Sequence, residues 1–91
     1  MANVQKIIQE QNLAKVAMLA TITSELTLKV SRLEATYNTM FQCFLISPDS
    51  EDIENMEHNK FQTQCAKYTL DLVRKELASV KKDLESEKND N

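Results

Sequence analysis

One histidine and two cysteines carry most of the reactive chemistry open to this 91-residue chain. His58 stands among Glu54, Glu57 and Lys60, and the thiols are Cys43 and Cys65. A thiol nucleophile needs a base within hydrogen-bond reach, and nothing in the spacing brings His58 onto either cysteine. A zinc site needs four ligands at paired spacings such as CxxC or HExxH, and neither spacing occurs. On one continuous helix Cys43 and Cys65 would stand roughly 33 Å apart, or roughly 16–18 Å along the axis if the chain turns between them. Either separation excludes an intrachain disulfide. A phosphate-binding loop needs glycine, and the chain has none. Ser47-Pro48 has the form of a proline-directed phosphorylation site but reads first as a helix start. The acids that follow, Asp49, Glu51, Asp52 and Glu54, belong to that start and not to a cleft. The expectation is a protein that is not an enzyme, with no catalytic residues, cofactor or metal.

What, then, do the residues build? A chain with no glycine and a single proline has few positions able to take the positive φ of tight hairpin turns. Its Val, Ile and Thr residues never alternate with polar ones over a useful length. The fold class expected is all-α. A net charge of −3 argues against binding nucleic acid through phosphate neutralisation. No apolar run reaches the ~20 residues of a membrane-spanning helix, so no membrane insertion is expected. The N-terminal stretch lacks the apolar core of a signal peptide, which points to an intracellular protein, cytoplasmic or nuclear.

The first half carries a heptad pattern. Val16, Leu19, Thr23, Leu26, Val30, Leu33, Tyr37, Met40 and Phe44 follow one another at alternating spacings of three and four, and only Thr23 is polar. Valine at one core position with leucine at the other is the pattern that favours two parallel strands. In the second half, Ile53, Met56, Phe61, Cys65, Tyr68 and Leu72 read as one seam. Leu70, Val73, Leu77, Val80 and Leu84 read as a second, and a stutter is expected where they meet. Between the halves, proline pushes Ser47 away from helical geometry. Ser47 is read as the N-cap and Pro48 as the first helical position, with acids in the first turn where the helix dipole favours them.

These signals predict a helix over about 3–46, a turn over about 46–50, a second helix over about 50–87 and a frayed tail at 88–91, all in one module. Folding back at Pro48 sets Phe44 by Ile53, Met40 by Met56, Tyr37 by Phe61, Leu33 by Cys65, Val30 by Tyr68 and Leu26 by Leu72. Farther on it sets Thr23 by Val73, Leu19 by Leu77, Val16 by Val80 and Leu13 by Leu84. An antiparallel, coiled-coil-like hairpin is the expected architecture.

Two helices alone do not use all the apolar surface. Val4, Ile7, Ile8, Leu13, Ile22, Leu28 and Phe41 lie outside the first seam and are candidate partner contacts. The first helix bears only Lys6, Glu10, Lys15, Glu25, Lys29, Arg32 and Glu34 as charges, and the others all follow residue 46. A helix so poor in charge is expected at the centre of an assembly. Self-association into a homodimer or tetramer of hairpins, giving a four-helix bundle, is therefore expected. The alternatives are a partner-dependent helical adaptor that docks on another protein's helix, and an extended parallel dimeric spacer broken at Pro48.

Overall fold

The computed structural model describes the backbone of residues 2–89 and the side chains from Val4 to Ser86. Two helices, α1 (Ala2–Ile46) and α2 (Ser50–Asn89), make an all-α hairpin, as the composition and the Pro48 punctuation imply. α2 continues to Asn89, and the rest of the frayed tail expected at 88–91 lies outside the described residues.

The turn occupies only Ser47, Pro48 and Asp49. Among the described residues none takes a positive φ, so the reversal is made without the conformations that would call for glycine. The Ser47 N–H still donates to the Cys43 carbonyl at 3.0 Å, which makes Ser47 the last turn of α1 and not the cap of α2. The cap is Asp49. Its Oδ1 accepts from the Glu51 N–H at 3.1 Å, while its carbonyl accepts from the Asp52 N–H at 3.1 Å. Pro48 correspondingly precedes the cap and does not open the helix. A carboxylate two residues nearer the first turn satisfies the orphan N–H of Glu51, which Ser47 is too distant to reach.

The chain divides into two compact units, Glu25–Leu70 and Met1–Ser24 with Asp71–Asn91, and both helices contribute to each. In the unit that holds the turn, α1 presents half-buried Leu26, Val30, Leu33, Tyr37, Met40 and Phe44. α2 answers with half-buried Asp52 and Met56 and buried Asn59, Thr63, Ala66 and Leu70. Both series run at spacings of three and four, so an antiparallel pairing stacks them in layers from Phe44 with Asp52 to Leu26 with Leu70. The Lys67 ammonium reaches the Glu34 carboxylate at 2.9 Å across the side of this unit.

In the other unit Asn12, Val16, Leu19 and Thr23 share the inner face with Val73, Leu77, Val80 and Leu84. Leu19 and Val80 are the most enclosed apolar side chains there. The Thr23 hydroxyl donates to the Leu19 carbonyl at 2.7 Å, so the one polar α1 residue expected in the seam finds its acceptor within its own helix.

The seam of α2 departs from expectation over its first half. Phe61, Tyr68 and Leu72 were expected to face α1 and instead stand exposed, as do Ile53 and Cys65. No stutter occurs. α1 holds one unbroken heptad phase from Asn12 to Phe44, and a partner helix that shifted phase midway would rotate its apolar face out of contact. The strict spacing set by Leu70, Val73, Leu77, Val80 and Leu84 continues backwards through Ala66, Thr63, Asn59 and Met56.

Candidate functional site

Phase continuity explains where the unpaired apolar surface lies. Residues two apart on a helix differ by about 200° in direction. Phe61, Cys65, Tyr68 and Leu72 each follow a seam residue (Asn59, Thr63, Ala66, Leu70) by two positions, so they form a stripe on the opposite side of α2. Phe61 is 64% exposed, Tyr68 68% and Leu72 49%. From Asn59 to Ala66 the inward side chains are small or polar while Phe61 and Tyr68 face outwards, the reverse of the usual arrangement.

A second apolar surface lies beside the turn. Tyr37, Phe41 and Phe44 of α1 and Ile53, Met56, Glu57 and Lys60 of α2 line one shallow groove there. Phe41 and Ile53 are exposed at its rim, and Leu45 and Ile46 extend the exposed surface to the end of α1. Along the rest of α1, Val4, Ile7, Ile8, Leu13, Met18 and Leu28 are exposed, whereas Ile22 is half-buried beside the seam. The remaining expected core positions, Val16, Leu19, Leu26, Val30, Leu33, Tyr37, Met40, Phe44, Val73, Leu77, Val80 and Leu84, are on the inner faces of the two units.

The reactive side chains do not converge. His58, Cys43 and Cys65 are all exposed, and both thiols are free. Among the described residues no three His, Cys, Asp or Glu side chains stand close enough to hold a metal ion. A groove beside Cys43 is lined by Ala35, Thr36, Thr39, Met40 and Asp52. The Thr36 and Thr39 hydroxyls that border it already donate to the Arg32 and Ala35 carbonyls, at 2.9 and 3.1 Å. No helix among the described residues is long and apolar enough to cross a membrane.

No protein-family model, curated protein or solved structure matches the chain. Its surface is therefore the source of any functional reading.

Asp49, Asn59, Thr63 and Ala66 are the structurally decisive residues that a search for large apolar side chains overlooks. For the three seam residues the signal is phase: counting back from Leu70 in fours and threes lands on each in turn.

Proposed function

We propose that the chain is a structural oligomerisation module, a helical hairpin that brings copies of itself together through the apolar faces it leaves uncovered, and that it catalyses no reaction. One observation carries this reading. The chain exposes 7200 Å² at a mass of 10.4 kDa, whereas a compact monomer of that mass exposes about 5,400 Å². The surplus of about 1,800 Å² compares with about 800 Å² removed from each partner in a standard interface. Large apolar side chains are among the exposed residues, Phe61, Tyr68, Leu13 and Leu28 included.

A homodimer of hairpins, or a tetramer, would cover this surface and complete a bundle of four or more helices. Two free thiols suit a reducing compartment, the cytoplasm or the nucleus. Sedimentation equilibrium from low micromolar concentration upwards tests the reading. The expected mass is two or four times that of the chain. A monomer throughout would overturn it and favour the adaptor alternative, in which a helix of another protein covers the same faces.

A further inference from the structure

The self-association reading leaves open which surface the copies share, and the inference here rests on that reading. We infer that the outer stripe of α2, Phe61, Cys65, Tyr68 and Leu72, docks on the same stripe of a second copy, with the two α2 helices antiparallel.

The stripe occupies one uninterrupted helix at spacings of four, three and four, the repeat of a coiled-coil seam. It lies about 200° from the face that meets α1, so the hairpin cannot cover both at once. Asn59, Thr63 and Ala66 fill the inner face while the aromatic rings point outwards. Lys67, between the two faces, engages Glu34 of its own α1 and leaves the stripe free of charge.

The stripe is also complementary to itself. A two-fold axis between Cys65 and Tyr68 sets Phe61 against Leu72 of the second copy and Cys65 against Tyr68, a larger side chain against a smaller one in each layer. The flanking positions then bring Gln64 beside Asp71 and Gln62 beside Thr69, with no like charges opposed. A parallel pairing would stack Phe61 on Phe61 and Tyr68 on Tyr68, and would hold Asp71 against Glu76 of the second copy. Side-chain size and charge both select the antiparallel arrangement. Phe61, Tyr68 and Leu72 each keep about half or more of their surface exposed, so each has apolar surface to bury on docking.

The test uses the full chain in a Cys43→Ser background. Phe61→Asp is expected to raise the dimer dissociation constant at least about 100-fold while helicity by circular dichroism stays unchanged, because Phe61 takes no part in the α1 seam. Under mild oxidation a chain that also carries Cys65→Ser and Leu72→Cys should stay unlinked. Position 72 of one copy lies opposite position 61 of the other, so positions 72 of the two copies are offset by about 16.5 Å along the helices, which is beyond disulfide reach. Adding Phe61→Cys should produce a covalent dimer between positions 61 and 72. If Phe61→Asp left the mass of the assembly unchanged, this surface would be wrong and self-association would use another face. A covalent dimer from Leu72→Cys without Phe61→Cys would overturn the antiparallel arrangement, and a wild-type monomer would overturn both this inference and the self-association reading.

Discussion

The Thr63 hydroxyl donates to the backbone carbonyl of Asn59 at 2.9 Å, and both residues are buried against α1. The Asn59 side-chain oxygen lies 3.5 Å from the same hydroxyl. The threonine thus finds its acceptor within its own helix, one turn back, and needs none from α1. A polar pair of this kind can be buried without orphaning the hydroxyl, yet it contributes much less than two leucines in the same layers.

Replacing one member with an apolar residue should therefore strengthen the hairpin. Asn59→Leu is expected to stabilise it by about 1–2 kcal/mol. For a chain of this size each kcal/mol corresponds to a melting-temperature rise of about 4–8 °C. A lower melting temperature would show that Asn59 holds the register of the two helices, as single core asparagines do elsewhere.

Truncation in the other unit should act in the opposite direction. Leu19 is 9% exposed and Val80 4%, so neither site is sealed enough to leave a complete cavity. Leu19→Ala is expected to cost about 2–3 kcal/mol, the lower part of the range for enclosed leucines. Urea denaturation followed by circular dichroism measures it. A loss below about 0.5 kcal/mol, the level of ordinary surface changes, would remove Leu19 from the seam.

The turn offers a comparison of two neighbouring candidates. Asp49→Ala removes the acceptor of the Glu51 N–H and should cost about 1 kcal/mol. Ser47→Ala should change stability by less than about 0.5 kcal/mol, because Ser47 contributes its backbone N–H to Cys43 and that group is retained. Equal losses at the two positions in thermal or urea unfolding would contradict the assignment of the cap to Asp49.

The Glu34–Lys67 ion pair should matter little. Both side chains are more than half exposed, so water and salt screen the attraction. Lys67→Ala is expected to cost less than about 1 kcal/mol at low ionic strength, and the difference should shrink further at salt concentrations of about 0.5 M. A larger cost that persisted in salt would point to a packing role for the lysine stem.

The two helices, the place of the reversal and the inner face of α1 from Val16 to Phe44 were legible in the sequence. Leu13, expected opposite Leu84, instead stands exposed, and Asn12 takes the inner position one residue earlier. The absence of glycine points to helices, the lone proline marks the one break between them, and the unbroken heptad from Val16 to Phe44 marks the buried face. The acids after Pro48 favour a turn over an extended rod. The first half of α2 was not legible by the same means. It carries two stripes of equal period, and the one with larger side chains, Phe61, Tyr68 and Leu72, is the one that faces away from α1. Size suggested the wrong stripe; continuity of phase with Leu70 and Val73 identifies the right one. At the turn, Ser47 and Asp49 are both good caps, and only the hydrogen bond to Glu51 separates them.

The uneven seam also has a bearing on how the chain folds. Layers next to the turn close the shortest loops, yet they rest on Asp52, Asn59 and Thr63 and return little free energy for the order they impose. The apolar layers of Leu19, Leu77, Val16 and Val80 require roughly two-thirds of the chain to be looped out, although that entropy grows only by about 0.6 kcal/mol per doubling of loop length. Zipping outwards from the turn therefore gains little until the far layers join, and closure should be a single cooperative event. During synthesis α1 would wait, its apolar face open, until Val73, Leu77 and Val80 have emerged.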